Sequence, residues 1–324
     1  MQALSAASVD AQAILALLWQ RVRQRGELPG FSRVVSAILR DMRGDDHHEF
    51  NMTRAVLSDP ALTQKVLRLA NSPMYAVFGQ QINTVTKAVA VLGPESIGHL
   101  ALGLKLIDGL SVASPATVTA RNEMEKAVLA GHIGRQVGSL AGSRDAEEAG
   151  VCAMLHALGN IMVSFYLPEL WHAMQCAREA HEVSEADAAV EILGVGLDQI
   201  ARAVAQHWGL PSNLLNTLKN VMPAISDAPL EHNDWLAAVA SMSLACADAV
   251  FQDADVQGCT QTLERIAQSY AFMLGIGAPI LLGAVRTARQ LARDESAPLP
   301  MARNADQRPA QGLPASPTCS APLR

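Results

Sequence analysis

Apolar residues recur every three or four positions along most of the chain, and this spacing limits the possible folds more than any other feature. It is the period of one face of an α-helix, because 3.6 residues make one turn. Half of the residues are hydrophobic but only 4% are aromatic, a composition that favours closely packed helices over sheets. The sequence therefore predicts an all-α fold. The clearest helix faces are Leu62, Val66 and Leu69; Val85, Ala88, Val89 and Leu92; and Ile97, Leu100, Ala101 and Leu104.

Capping signals predict where several helices begin and end. A Ser, Thr or Asp side chain can accept a hydrogen bond from an unpaired N–H in the first turn, and a glycine or proline typically follows a helix end. The predicted starts are Asp59 with Pro60, Thr84, and Ser184 with Asp187 as a capping box, and Gly93 is a predicted end. Further turns are predicted near Gly142, Gly159, Pro168, Gly194, Pro211 and Asp227.

Breaks in the helical pattern divide the chain into parts. Residues 1–27 are expected to hold a leading helix, running from about residue 8 to residue 25. A first helical lobe follows and ends near Ser114 and Pro115, and a second helical stretch continues to residue 293, with residues 223–293 packing on it. Residues 294–324 contain six prolines and few large apolar side chains, so they are predicted to be a disordered tail.

Charge and hydropathy limit the expected partners and compartment. The net charge of −6 gives no general attraction to nucleic acid or to anionic lipid, so neither is expected as a partner. The N-terminal residues lack the basic start and apolar core of a secretory leader. The longest apolar run, residues 271–285, is interrupted by glycine and proline and is shorter than the roughly 20 residues that span a bilayer. A cytoplasmic protein without a membrane span is expected.

An acidic segment between two helical patterns is similar to a calcium-binding loop. Asp253, Asp255, Gln257 and Glu264 occupy positions 1, 3, 5 and 12 of such a loop, and Gly258 occupies the glycine position. Gln257 stands where Asp or Asn is usual, and at most three carboxylates would give a weak site. An acidic turn between helices is the simpler interpretation.

His156 is followed by Ala157, whereas a metal-dependent hydrolase would need a carboxylate at the second position. A His-Asp pair offers one divalent ion both an imidazole nitrogen and a carboxylate oxygen, and the ion can then lower the pKa of a bound water. The methyl group of alanine offers no ligand. No nucleophile elbow, Walker loop or dinucleotide-binding glycine pattern is present either. These observations argue against catalysis.

One long segment, residues 59–75, resembles the signature of the HDOD domain, the HD-related output domain of bacterial signalling proteins. Shorter matches are Leu28 with Pro29 and residues 85–93, 155–160 and 208–211, so the resemblance covers about residues 28–222. The signature residues, for which a structural or a partner-binding role is open, are Asp59, Pro60, Leu69, Asn71, Ser72, Tyr75 and Trp208.

The resemblance implies a two-lobed helical fold, with a first lobe at residues 28–114 and a degenerate HD-phosphohydrolase-like lobe from residue 115. Catalytic relatives bind metal through an early His, a His-Asp pair and a late Asp. Only His156 matches these ligands, since Lys126 falls near the early His, Ala157 replaces the Asp of the pair, and Ser243 falls near the late Asp. No catalytic residue, metal or cofactor is therefore expected.

The predicted function is a non-catalytic regulatory module of bacterial signal transduction. It would bind a signalling protein, whose identity the sequence leaves open, or a small signal. Two alternatives remain at this point: a divergent metal-dependent phosphohydrolase acting on a nucleotide or cyclic dinucleotide, and a nucleotide sensor that binds without hydrolysis.

Overall fold

The computed structural model describes residues 2–25, 56–57, 60–71, 82–93, 96–101, 118–141, 143–181, 183–210, 212–224, 230–252 and 256–295. Within these ranges all regular secondary structure is helical, as the apolar spacing predicts. The helices are α1 (Gln2–Arg25), α2 (Pro60–Ala70), α3 (Val85–Leu92), α4 (Val118–Ala141), α5 (Ser143–His156), α6 (Leu158–Tyr166), α7 (Pro168–His181), α8 (Glu185–Leu193), α9 (Leu197–His207), α10 (Ser212–Thr217), α11 (His232–Gln252), α12 (Val256–Leu274) and α13 (Ala278–Glu295).

A small apolar core joins α2, α3 and the helical residues 96–101. The predicted inner face of α3 is buried along its whole length, and Val66 of α2 and Ile97 are fully buried beside it. The hydroxyl of Thr84 accepts a hydrogen bond from the N–H of Lys87, and Gly93 ends α3 with a φ of 80°. Both predicted boundaries of α3 are therefore confirmed. Leu104 lies outside the described residues, and so does Asp59.

A larger core is built on the antiparallel pair α4 and α5. Gly131 of α4 lies against Met154, whereas Gly138 lies against Ala146, so the two helices run in opposite directions. They approach so closely that a Cβ on Gly134 would come within 2.7 Å of the carbonyl oxygen of Ala149. Helices α11 and α13 pack against α4, and α6 and α9 pack against each other.

The leading helix α1 packs on this larger core. Leu18 is fully buried in it, and the ring of Trp19 lies 4.4 Å from the ring of His207 at the end of α9. Arg25 donates a hydrogen bond of 2.8 Å to the carbonyl oxygen of Phe165, where a cation stabilises the C-terminal end of α6. The helix begins at Gln2, earlier than predicted, and at the other end of the chain α13 extends through Glu295.

Two helical stretches are long and apolar enough to cross a membrane by length and composition, contrary to the expectation from the longest apolar run. They are Asp145–Tyr166 and His232–Gln252, and 94% and 61% of their most apolar windows are buried inside the protein. The apolar run at residues 271–285 forms parts of α12 and α13, which are bent by 118° and together also pass this criterion. Both stretches contain a few polar residues, which a core helix tolerates but which interrupt a run of purely apolar residues.

Candidate functional site

The six residues 155–160, which contain His156 and Ala157, form the junction between α5 and α6. His156 is the last residue of α5, and Ala157 makes the turn into α6 with φ of −76° and ψ of −2°. All six residues are buried. The chain therefore breaks at Ala157, two residues before the predicted turn at Gly159, which lies inside α6.

His156 is hydrogen-bonded inside the protein. Its Nε2 lies 3.4 Å from the hydroxyl oxygen of Ser241 on α11. That hydroxyl donates its proton to the carbonyl oxygen of Ala237 at 2.9 Å and accepts from the N–H of Val221 at 3.0 Å. Because the single hydroxyl proton is used, we assign the imidazole proton to Nε2, which then donates to Ser241. The Nδ1 atom is buried without a hydrogen-bond partner.

The environment of His156 favours the neutral imidazole. Burial lowers its pKa from 6.5 to about 4, although the nearby carboxylate of Asp198 acts in the opposite direction. The side chain is 7% exposed. At neutral pH the residue is therefore an uncharged, hydrogen-bonded part of the core.

The next residues of the junction fix α6 against its neighbours. A Cβ on Gly159 would lie 2.1 Å from the carbonyl oxygen of Leu197, at the start of α9, so only glycine fits at this position. The side-chain amide of Asn160 donates a 2.7 Å hydrogen bond to Glu185 at the start of α8. Both residues therefore have structural roles that the sequence motif does not reveal.

Lys126 lies in a cluster of charged side chains beside this junction. Its Nζ is 2.7 Å from Glu123 Oε1 on the same helix and 2.8 Å from Asp248 Oδ1 on α11. Arg178 of α7 lies 3.7 Å from Glu185 and donates a 2.8 Å hydrogen bond to Gln252. We call Glu123, Lys126, Arg178, Glu185 and Asp248 the Lys126 cluster. It connects helices α4, α7, α8 and α11.

The pKa values of the Lys126 cluster reflect burial and the neighbouring charges. Burial acts to lower the pKa of Lys126, but the carboxylates of Asp248 and Glu123 outweigh it and raise that pKa above its ordinary value. Burial raises the pKa of Glu123 to about 7, because the attraction of Lys126 only partly compensates and Asp248 and Glu185 repel its charge. Lys126 is therefore a fixed cation, whereas Glu123 titrates near neutral pH.

Of the residues that the resemblance aligns with the metal ligands of catalytic relatives, His156, Lys126 and Ser243 are not joined to one another by a hydrogen bond or ion pair in the described structure. His156 bonds to Ser241 rather than to Ser243, whose hydroxyl is fully buried and has no hydrogen-bond partner. Lys126 pairs with Asp248, seven residues beyond Ser241 and thus two turns along the same face of α11. Among the described residues, no group of three or more His, Cys, Asp or Glu side chains could hold a metal ion.

Sequence reasoning missed the carboxylates of the Lys126 cluster. Glu123, Glu185 and Asp248 belong to three helices that are distant in sequence, so no local spacing connects them. One signal was available: Glu123 and Lys126 are three residues apart, on the same face of a helix rich in small and apolar residues.

The signature residue Asn71 holds two backbone segments together. Its side-chain nitrogen donates to the carbonyl oxygens of Leu67 at 2.8 Å and Ile82 at 2.6 Å, and its oxygen accepts from the N–H of Ile82 at 2.8 Å. The neighbouring Leu69 is buried, at 8% exposure. Pro60 is the first residue of α2, whereas Asp59, Ser72 and Tyr75 lie outside the described residues.

The signature residue Trp208 forms part of a helix stop. The N–H of Gly209 donates to the carbonyl oxygen of Gln206 at 2.9 Å, and that of Leu210 donates to Ala205 at 3.0 Å. Gly209 has a φ of 72°, and Leu210 is buried. This pair of hydrogen bonds is the Schellman motif, so the segment ends α9 and fixes the direction of the following chain.

The acidic segment does not have the conformation of a calcium loop where it is described. Helix α12 begins at Val256, the fourth position of the expected loop, and includes Gln257, Gly258 and Glu264. Gln257 and Glu264 are two turns apart on this helix, about 10 Å along its axis, too far to bind one ion. Asp253 and Asp255 lie outside the described residues.

Comparisons with known proteins identify the same family as the sequence signature. The HDOD domain model matches residues 28–222, more than half of the chain. The HDOD domain protein with unknown function from Geobacter sulfurreducens has a similar structure, with a TM-score of 0.58 and 16% identity over 87% of this chain and 97% of that chain. No curated protein matches the chain.

Two further solved structures share the fold. A "Putative phosphohydrolase" from Shewanella amazonensis SB2B has a TM-score of 0.53 and 21% identity, covering 85% of this chain and 94% of that chain. A "Putative signal transduction protein" from Marinobacter aquaeolei VT8 has a TM-score of 0.52 and 18% identity, covering 89% of this chain and 65% of that chain. At these identities the likeness shows the fold alone. Since the family model spans residues 28–222 and the all-helical fold agrees with it, the chain belongs to the HDOD domain family.

Proposed function

We propose that this protein is a non-catalytic regulatory module of cytoplasmic signal transduction, which acts by binding a partner protein or a small signal. The observation that carries the proposal is the state of the His156–Ala157 pair. The Nε2 of His156 donates to Ser241, and the next residue presents a methyl group where a carboxylate would bind metal. A catalytic metal would need both groups as ligands.

The Lys126 cluster supports the same proposal. Lys126 stands near the position of the early His ligand, and its ammonium group lies within 2.8 Å of carboxylates on two helices. A metal ion and an ammonium group repel each other, so a divalent cation would have to compete with a covalently attached one for these oxygens. The carboxylates of Glu123 and Asp248 are therefore paired with Lys126 and are not available to bind a metal ion.

The main alternative is a metal-dependent phosphohydrolase acting on a nucleotide or cyclic dinucleotide. Two structures with the same fold carry phosphohydrolase names. In this chain such an activity would need Asp198 or the carboxylates of the Lys126 cluster to replace the lost ligands. A third candidate, a nucleotide sensor, would bind the same molecules without cleaving them.

Metal content and hydrolysis, measured together, distinguish these functions. We expect the purified protein to contain no stoichiometric Mn, Fe, Mg or Zn and to leave mononucleotides and cyclic dinucleotides intact, with no difference between the wild type and His156→Ala. Ser269→Ala, which removes an exposed hydroxyl on α12, is the matched control. Stoichiometric metal together with hydrolysis that His156→Ala abolishes would overturn the proposal.

A thermal-shift series with the same nucleotides separates the remaining functions. A ligand that binds only the folded protein raises the melting temperature in proportion to the logarithm of its concentration. We expect no shift if the signal is a partner protein. A saturable shift with an intact nucleotide would establish the sensor function instead.

A further inference from the structure

The Lys126 cluster contains one more anion than cation. Lys126 and Arg178 supply two positive charges, whereas Glu123, Glu185 and Asp248 supply three carboxylates. The side chains of Glu123 and Lys126 are 4% and 9% exposed. Glu185, Asp248 and Arg178 are 20%, 21% and 28% exposed, so Glu123 is the most deeply buried of the three carboxylates. A deeply buried carboxylate whose charge is not balanced normally takes up a proton or a counter-ion.

The cations nearest to each carboxylate oxygen indicate which group carries the excess charge. Glu185 accepts from Asn160 through Oε1, and its Oε2, which has no hydrogen-bond partner, lies 3.7 Å from Arg178. Burial and the charge of Asp248 raise the pKa of Glu185 too, whereas Lys126, Asn160 and Arg178 act in the opposite direction. Asp248 Oδ1 lies 2.8 Å from the ammonium group of Lys126. Glu123 uses Oε1 for Lys126, but its Oε2 is buried and has no hydrogen-bond partner. An ionised carboxylate would leave a negative oxygen uncompensated there, whereas a protonated one would not.

We propose that the Lys126 cluster is a proton-operated contact, in which Glu123 holds one proton in the native state and its loss weakens the attachment of α7 and α8 to α4 and α11. With the proton bound, the two cations balance the two remaining carboxylates. After its release the cluster carries a net negative charge, and the carboxylate of Glu123 repels those of Glu185 on α8 and Asp248 on α11. Because Arg178 of α7 is paired with Glu185, a movement of α8 away from α4 would carry α7 with it.

Several other charged groups on the helices that pack against α4 are engaged in ion pairs away from Glu123. Glu147 of α5 pairs with Arg135 at 2.8 Å, and Glu148 of α5 pairs with His232 at 3.0 Å. Helix α6 has no charged residue, and Asp234 of α11 pairs with Lys219. Lys126 attracts the charge of Glu123, and Asp248 and Glu185 repel it.

The sign of the pH dependence follows from the raised pKa of Glu123. The native state keeps a proton that an ordinary glutamate releases above about pH 4.5, so unfolding releases it. The stabilisation is therefore complete below about pH 4.5 and is lost as the pH rises through about 7. This window includes the pH of the cytoplasm, so a small change in pH would change the fraction of molecules in which Glu123 holds its proton.

The test is a series of melting temperatures from about pH 5.5 to about pH 8.5, on the full chain, for the wild type, Glu123→Gln, Glu185→Gln and the exposed control Glu264→Gln. Glutamine imitates the protonated acid in size and charge. We expect the melting temperature of the wild type and of Glu264→Gln to fall as the pH rises through neutral, and that of Glu123→Gln to lose this fall. Infrared difference spectra should show one carboxylic acid titrating near neutral pH in the wild type and not in Glu123→Gln.

Three results would overturn the proposal. The first is an unchanged pH dependence in Glu123→Gln, and the second is its loss in Glu185→Gln alone, which would place the proton on Glu185. The third is a melting temperature that EDTA lowers, since a metal counter-ion would then balance the charge. Should Glu123→Gln not fold, the wild-type infrared titration decides, because the absence of a carboxylic acid near neutral pH refutes the proposal. None of these measurements depends on hydrolytic activity. They would therefore still test the role of Glu123 if the protein proved to be a phosphohydrolase.

Discussion

Single residues of the junction act through their hydrogen bonds, and Ser241 is the clearest case. Inside a buried site, its hydroxyl donates to the carbonyl oxygen of Ala237 and accepts from the N–H of Val221 and from His156. Ser241→Ala should leave the N–H of Val221 and the Nε2–H of His156 unpaired and lower the free energy of unfolding by about 2 kcal/mol. Urea unfolding of this variant and of Ser269→Ala, which loses only one exposed bond to Ile266, measures the difference. Equal losses in the two variants would show that Ser241 does not organise the site.

Asn71 should be equally important to the small core. Asn71→Ala removes both carbonyl contacts and leaves the N–H of Ile82 unpaired, so we expect a loss of about 2 kcal/mol. The exposed Asn83, one residue beyond the segment that Asn71 holds, is the matched control, and Asn83→Ala should change stability by less than about 0.5 kcal/mol. Loss of partner binding without loss of stability in Asn71→Ala would instead favour an interaction role.

At this scale the sequence singles out residues of the family signature but does not give their contacts. Asn71 and Trp208 stood out because they match the family signature, and both a structural and a partner-binding role were open. The contacts that support a structural role are the hydrogen bonds of Asn71 to the backbone of Ile82 and, next to Trp208, the positive φ of Gly209 in the helix stop. Neither can be read from side-chain types, because these hydrogen bonds form only when distant or turning backbone is in place.

At the scale of elements, capping chemistry predicted boundaries better than glycine alone did. The hydroxyl of Ser184 accepts from the N–H of Asp187 at 3.1 Å, and Gly194 ends α8 in the left-handed region with φ of 65°. Both predictions are confirmed because cap residues act within one turn. The turn predicted near Gly159 lies at Ala157, and Gly159 itself lies inside α6, where it is needed for close packing on Leu197. Composition cannot distinguish these two uses of glycine.

Gly159→Ala tests this packing role. The added methyl group would lie 2.1 Å from a backbone oxygen that cannot rotate away, so α6 and the start of α9 must separate. We expect a loss of about 2 kcal/mol or more in the free energy of unfolding, as for overpacked cores. Gly283→Ala is the control, because nothing lies within 4 Å of its added Cβ on α13. That variant should gain up to about 1 kcal/mol from helix propensity, and a similar gain in Gly159→Ala would contradict the packing role.

For the whole molecule, the fold class was predictable and the charge cluster was not. Apolar spacing repeats in almost every helix, so it gives the all-α class from local information alone. The Lys126 cluster joins residues of α4, α7, α8 and α11, and its members come together only when those helices have packed. The resemblance shows that Lys126 stands near the position of a metal-binding His, but its ion pair with Asp248 is visible only in the folded structure.

Two buried groups of opposite character give the whole molecule a testable pH response. Unfolded histidine takes up a proton below about pH 6.5, whereas native His156 does so only near pH 4, so this residue makes stability rise with pH between those values. Glu123 makes stability fall as the pH rises between about 4.5 and about 7. From about pH 4.5 to about pH 6.5 the native proton on Glu123 offsets the unfolded-state proton on histidine, so the contributions of these two residues to the slope cancel.

Variants should therefore uncover slopes of opposite sign. Relative to the wild type, the stability of Glu123→Gln should rise with pH across this window, and that of His156→Gln should fall with pH. The single-site changes in slope should add in the double variant and return it to the wild-type slope, since no hydrogen bond or ion pair of the described structure joins the two residues. Urea unfolding of the four proteins at about pH 5 and about pH 6.5 measures these slopes. Slopes of the same sign in the two single variants would mean that one of the groups does not hold the protonation state that its burial dictates.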